Sequence, residues 1–243
     1  MFFLYQALVL ILLIISPIII SLRIFKKKED PKRFKEKFCL PSKKRKNGNL
    51  IWFHSSSVGE LLSIIPLVYE LEKNKNINQI LITTSTLSSA EIFKDFKFKK
   101  VVHQFFPIDF FLYSYKFLNY WQPTTAIFVE SEIWPSIFRV LNKKKIPLLL
   151  LNARITKKTF KKWMLVKSFS KSVFKNISKV YPQNNETFKY LKKLNISQIK
   201  KIGNLKFINN EQDSFIKINK NLLRNLKNRK VWCASSTHPG EEI

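Results

Sequence analysis

Glycine is scarce in this chain, with four residues in 243. That scarcity counts against an enzyme that folds glycine-rich loops over its substrate. Cysteine is rarer still. Cys39 and Cys233 stand far apart, which excludes a disulfide framework and fits a reducing compartment, with each read as an inert thiol. Acidic side chains number 16 against 44 Lys and Arg, giving a formal net charge of +28. Such a balance points to an anionic partner: a membrane surface, a nucleic acid or a phosphorylated substrate. Only seven of those 44 basic residues are Arg. Bidentate contacts to bases favour guanidinium groups, and no recognised nucleic-acid-binding motif is present. A basic, membrane-tethered nucleic-acid-binding protein therefore stands as the alternative, with no specific nucleic acid expected. The abundance of Lys, Ile, Asn and Phe also fits compositional drift, in which case the charge reports only solubility and membrane affinity.

What the chain does have begins with lipid. Residues 2–22 are almost entirely apolar, interrupted by Gln6, Ser16, Pro17 and Ser21. The run matches the ~20 residues of a spanning helix. It lacks the basic n-region and small-residue cleavage site of a removable signal. Arg23, Lys26, Lys27, Lys28, Lys32, Arg33, Lys35 and Lys37 follow it. By the positive-inside rule the remainder lies in the cytoplasm, against an anionic membrane surface. Pro17 leaves a kinked or shallow, monotopic insertion open as well. We expect an anchor at 1–22, a basic juxtamembrane linker at 23–49 ending in a turn at Asn47-Gly48, and a soluble domain from about Leu50.

From Leu50 on, short apolar runs alternate with segments of helical spacing. Strands are expected at 50–54, 79–83, 101–105, 125–130, 146–151, 179–181 and 198–202. Strands alternating with helices imply an α/β fold with a parallel sheet covered on both faces. The runs IPLLLL and TAIFVE are continuously apolar, as doubly buried strands are. Residues 50–210 thus form one Rossmann-like domain. Residues 211–243 read as a polar helix or linker and the start of a second domain, for which a strand is expected at 230–234. The strings IWFHSSSVGE (51–60) and VWCASSTHPGE (231–241) both run strand, Ser-rich loop, Gly, Glu. The second domain therefore looks cut off within its first unit.

In open parallel sheets, ligands bind beyond the carboxyl ends of the strands. Four clusters fall there. In His54-Ser55-Ser56-Ser57-Val58-Gly59-Glu60, the hydroxyls and free N–H groups at a helix start form an anion site, and Gly59 permits a tight turn or close approach. The plainer reading is a Ser cap with an acid in the first turn. A base at Glu60 would need burial or a developing charge to raise a pKa that the helix dipole lowers. In Glu130-Ser131-Glu132-Ile133-Trp134-Pro135, the two carboxylates could hold a divalent metal, or act electrostatically and cap the next helix. Neither an Asp nor a His lies nearby in sequence, and no metal is expected. Arg154, in Asn152-Ala153-Arg154, either grips a phosphate or carboxylate bidentately or forms a structural ion pair. Gly203-Asn204-Leu205-Lys206 offers Lys206 as a point charge for an anion. Gln183-Asn184-Asn185-Glu186 reads as a helix-capping turn.

Taken together, HSSSVGE (54–60), ESEIWP (130–135), NAR (152–154), GNLK (203–206) and SSTHPGEE (235–242) resemble the Kdo (3-deoxy-D-manno-octulosonic acid) transferases of lipopolysaccharide synthesis. They occur in family order, behind an N-terminal membrane segment. The resemblance implies a GT-B fold, two Rossmann-like domains across a cleft, the first receiving the lipid acceptor and the second CMP-Kdo. It implies inverting, metal-independent transfer of Kdo from CMP-Kdo to a lipid A precursor (lipid IVA) at the cytoplasmic face of the bacterial inner membrane, with no cofactor. Glu60 would be the general base, and Glu130 and Lys206 would stabilise the transition state. Substrate contacts would come from Ser55, Ser56, Ser57, Gly59, Glu132, Arg154 and Asn204, and from Ser236, Thr237, His238 and Glu241. A different GT-B nucleotide-sugar transferase is the nearer alternative. Two departures stand out: the segment 83–89 lacks the expected glycine and proline, and Ser136 replaces the usual asparagine. A chain ending at Ile243 is expected to be inactive by itself.

Overall fold

The computed structural model describes residues 1–194, 196 and 198–205. Residues 1–208 belong to one compact unit. Its centre is a six-stranded parallel sheet: β1 (Leu50–His54), β2 (Gln79–Thr84), β3 (Val101–Phe105), β4 (Thr125–Val129), β5 (Leu148–Ala153) and β6 (Lys179–Pro182). Their spatial order is β3-β2-β1-β4-β5-β6. The chain runs outward from β1 to β3, returns, and runs outward again from β4 to β6. The reversal lies between β1 and β4, which is where a crevice opens at the carboxyl ends of such a sheet.

Helices pack on both faces of the sheet. Leu61, Ile64, Ile65 and Val68 of α2 (Val58–Lys73) pack with Ile80, Ile82 and Ile127 on one face. On the other face lie Phe117 and Trp121 of α4 (Phe111–Trp121), Phe138 and Leu141 of α5 (Pro135–Lys143), and Val173 and Phe174 of α7 (Lys167–Phe174). These close over Trp52, Phe128 and Leu150 of the sheet. Trp52 is fully buried, and its indole N–H donates to Thr83 Oγ1 at 2.9 Å. A ring of that size is an anchor because its apolar area leaves water while its one polar atom stays satisfied. Local caps begin α3 (Leu87–Phe93) at Thr86, α6 (Lys157–Leu165) at Thr156 and α8 (Asn185–Lys193) at Asn184. The last is the capping turn expected at 183–186.

Two expectations shift. The fifth strand begins at Leu148, not Ile146, and runs on through Asn152 and Ala153. Pro147 has no N–H to give a ladder, and the continuation opens on the polar Asn152, which hides it from an apolar-run reading. Of the seventh expected strand only a single bridge forms, Val180 with Ile199.

The stretch read as a linker is tied down. It carries a short 3-10 turn, Phe34–Phe38, whose Glu36 is 1% exposed. Glu36 takes two bonds from the Arg33 guanidinium (2.9 and 3.1 Å) and one from the backbone N–H of Phe105 (2.7 Å). Arg45 Nε donates to Trp121 O at 2.6 Å. Three acids in a lysine-rich run, Glu29, Asp30 and Glu36, are what hold it, because a buried carboxylate needs cationic and N–H partners. Ahead of it, α1 (Phe2–Phe25) is a 24-residue helix with Pro17 inside, long and apolar enough to cross a membrane.

Candidate active site at the sheet reversal

β1 ends at His54, and the chain enters α2 through Ser55, Ser56 and Ser57. Ser57 is the N-cap, and its hydroxyl accepts from the Glu60 N–H at 3.4 Å. The Glu60 carboxylate reaches back and takes the Ser56 N–H on Oε2 at 2.7 Å. This is the reciprocal arrangement of a capping box, displaced by one residue. The capping reading of this cluster is therefore correct as structure, yet it does not exhaust Glu60. Its side chain is buried, and Oε1 has no hydrogen-bond partner among the described residues. Burial raises its pKa above the ordinary carboxylate value, and the charges of Glu132 and Glu130 push the same way. The N–H of Ser56 and the hydroxyl of Ser57 oppose them. A carboxylate kept from water beside two others is a stronger base than an exposed one.

Glu130 and Glu132 follow β4, the strand next to β1. Glu130 is buried and sits in the left-handed region, φ 57°. On the neighbouring strand end Asn152 does the same, φ 52°, and its side-chain N–H lies 3.5 Å from Glu130 Oε1. Asn152 Oδ1 accepts from the Leu205 N–H at 3.2 Å, which draws the 203–205 segment to the site. Two non-glycine residues held left-handed side by side mark backbone strain stored where β4 and β5 end. Glu132 accepts on Oε2 from the Trp134 indole N–H at 2.8 Å, and His54 Nε2 lies 3.1 Å from the same oxygen. His54 is fully buried, stacks on Phe106 with ring centroids 3.8 Å apart, and places Nδ1 3.0 Å from Thr83 Oγ1. The acidic pair is thus fixed from both strands.

The sequence-predicted residues divide accordingly. Glu60, Glu130 and Glu132 come together, with Ser55, Ser56 and Ser57 at the same loop. The Ser55 hydroxyl is buried without a partner among the described residues. At Gly59 the tight-turn reading fails. Its backbone is not left-handed, and an added Cβ would meet nothing within 4 Å, so the position contributes open space beside Glu60. Arg154 is exposed just past the end of β5 and makes no ion pair among the described residues. Gly203 does adopt a left-handed φ, 91°, and Asn204 is half-buried beside it. Lys206, Ser236, Thr237, His238 and Glu241 lie outside the described residues. Among the described residues no three His, Cys, Asp or Glu side chains are arranged to hold a metal ion.

One buried acid escaped the sequence reading. Asp109 accepts from the backbone N–H groups of Ser136 and Ile137, both at 2.9 Å. Those are free amides in the first turn of α5, whose own N-cap, Trp134, supplies no side-chain bond. Asp109 therefore caps α5 from another loop and fixes the Glu130–Pro135 turn that precedes it. Its signal in the sequence was slight: one Asp in the apolar run FPIDFF. Ser136, where an asparagine was expected, donates its hydroxyl to Asp109 O at 2.6 Å.

The sequence profile of the 3-deoxy-D-manno-octulosonic-acid transferase (kdotransferase) family matches residues 32–209. The 3-deoxy-D-manno-octulosonic acid transferase of Rickettsia bellii is 37% identical over 243 residues, covering 98% of this chain and 57% of that protein. That of Haemophilus influenzae is 32% identical over 202 residues, covering 79% and 46%. This chain thus spans about half the length of these curated relatives. Among solved structures, a putative UDP-N-acetylglucosamine 2-epimerase from Listeria monocytogenes shares the fold at a TM-score of 0.55 and 10% identity, over 74% of this chain and 51% of that one. The chain belongs to the 3-deoxy-D-manno-octulosonic acid transferase family.

Proposed function

We propose that the full-length protein transfers Kdo from CMP-Kdo to a lipid A precursor, with inversion, and that this chain supplies the acceptor-binding half. Family membership and the names of the relatives support the reaction class. The observation that carries the mechanism is the carboxylate of Glu60, buried beside Glu130 and Glu132 at the reversal of the sheet. Inversion needs one displacement. Glu60 takes the proton from the acceptor hydroxyl as that oxygen attacks the anomeric carbon, while the bond to CMP breaks on the opposite side. Ser56 holds Oε2 and leaves Oε1 for the proton. Glu130 supports the cationic character that develops at the sugar, and Lys206 the charge that develops on the leaving phosphate. The Ser55–Ser57 loop, Gly59, Glu132, Arg154 and Asn204 line the acceptor side. Ser236, Thr237, His238 and Glu241 belong to the donor side. Neither metal nor cofactor enters the scheme.

We further place the protein at the cytoplasmic face of a bacterial inner membrane. The apolar α1 and the cationic run after it support this. This half alone is inactive in our reading, since the donor site is built mainly by the other domain. The test is direct. The full-length gene product, given CMP-Kdo and lipid IVA, should yield a glycolipid heavier by one or more Kdo residues, with inverted anomeric configuration by NMR. A folded, full-length protein that consumes no CMP-Kdo would refute the assignment, and a retained configuration would refute the single displacement.

A further inference from the structure

Both ends of α1 are fastened to the same domain. Near its start, Tyr5 donates its hydroxyl to Asp109 Oδ2 at 2.7 Å. Gln6 donates to Ser136 Oγ at 2.7 Å and accepts from the Phe111 N–H at 2.9 Å. The Arg139 guanidinium lies 4.3 Å from the centre of the Phe2 ring. Near its end, Arg23 pairs with Glu29 at 3.1 Å, Glu29 with Lys37, and Lys37 O accepts from the Ile108 N–H at 2.9 Å. Ile108 and Asp109 are neighbours, so the two fastenings converge on one segment.

A 24-residue helix is about 36 Å long, more than the ~30 Å hydrocarbon core. Were α1 to cross a bilayer, Tyr5 and Gln6 would stand on the face opposite Lys26. Asp109, Ser136 and Phe111 belong to the domain that begins after Lys26 and could not follow them. We infer that α1 does not span: it lies along the domain, in the plane of the membrane, with its outer face sunk into one leaflet of an anionic bilayer. This rests on the membrane reading above and goes beyond it in fixing how the membrane is met.

The faces of the helix fit. Val9, Ser16 and Ile20 are buried, whereas Phe3, Leu8, Ile11, Ile15, Ile18 and Leu22 are exposed. The exposed lysines 26, 27, 28, 32 and 35 follow at once. The exposed apolar surface, which also includes Leu4, Leu12, Ile14 and Ile19, suits acyl chains, and the cations at its end suit anionic headgroups. The helix also adjoins the site. A cavity of about 360 Å³ lies between α1 and the strand-end loops, lined by Tyr5, Val9 and Leu12 on one side and Phe106, Ile108 and Trp134 on the other. Trp134 is the residue that bonds Glu132. A lipid-borne acceptor could thus reach the carboxylates sideways from the leaflet, without leaving it.

The full-length protein with a protease-sensitive peptide tag ahead of Met1 tests this in inverted inner-membrane vesicles, whose cytoplasmic face is outward. The expected result is loss of tag and domain together, without detergent. A tag protected until detergent is added, while the domain is digested, would overturn the in-plane placement and leave membrane attachment standing. Protein found free of the vesicles would overturn both. A second measurement addresses the occupant. Ile11→Glu with Ile15→Glu should lower partition onto phosphatidylethanolamine–phosphatidylglycerol vesicles at least tenfold. Unchanged partition, or wild-type protein that self-associates through α1 instead of binding vesicles, would reject the lipid.

Discussion

Replacing Asp109 with Asn isolates the energetics of one buried carboxylate. Burial raises its pKa from 3.8 to about 6, against the lowering effect of the bonds from Ser136, Tyr5 and Ile137. Its folded-state value therefore exceeds its unfolded value. The folded state holds the proton more tightly, so the wild-type contribution is complete below pH ~4 and is lost as pH rises through ~6. A shift of about two units, at ~1.4 kcal/mol each, amounts to about 3 kcal/mol. Asn cannot titrate, and it keeps one acceptor oxygen for the α5 amides. Urea unfolding of both proteins in mild detergent, from pH 4 to pH 7.5, should show the stability difference moving by about 3 kcal/mol in favour of Asp109→Asn as pH rises. Taking the difference cancels every other group that titrates alike in both, His103 among them. A difference that stays flat across this range would refute the claim that Asp109 is held in an environment hostile to its charge.

Other outcomes follow from the site and the core. In the full-length enzyme, Glu132→Gln should move the acidic limb of the pH–rate profile to lower pH, because the Glu132 charge helps raise the pKa of Glu60. A limb that does not move would disprove that coupling. Cys39 is 4% exposed, and burial pushes its thiol up to about 12. In a Cys233→Ser background it should resist a disulfide-exchange reagent at pH 8 until denaturant is added. Rapid labelling of the folded protein would show that residues 34–40 do not pack as described.

Much of this was legible in the sequence because two periods of physics coincide with it. Short apolar-rich runs between helical segments gave β1 and β3 residue for residue, and β2 and β4 to within one, although His103 and Gln104 interrupt β3. The strand-end position of the clusters followed from the expected topology, whereas the grouping of Glu60 with Glu130 and Lys206 into one site came from the family resemblance. What was missed shares a cause: pairing between distant residues. Nothing near Asp109 announces the α5 amides 27 and 28 residues on. Nothing near Glu36 announces Phe105. Lysine-rich composition masked the folded stretch 29–46, and the apolar run 2–22 concealed that Tyr5 and Gln6 reach the domain. Of the two uses open to Gly59, a tight turn or a close approach, the backbone rules out the first. The sequence leaves both open, because a glycine at a helix start looks alike whether it turns the chain or clears a space.

The proposed transfer depends above all on the carboxylate at position 60. Full-length protein carrying Glu60→Gln keeps the cap to Ser56 through its amide oxygen but cannot accept the acceptor proton. With CMP-Kdo and lipid IVA its kcat should fall by about 10²–10⁴, the range for loss of a general base, with thermal unfolding and KM near wild type. Turnover within a few-fold of wild type would contradict the assignment of Glu60 as the base.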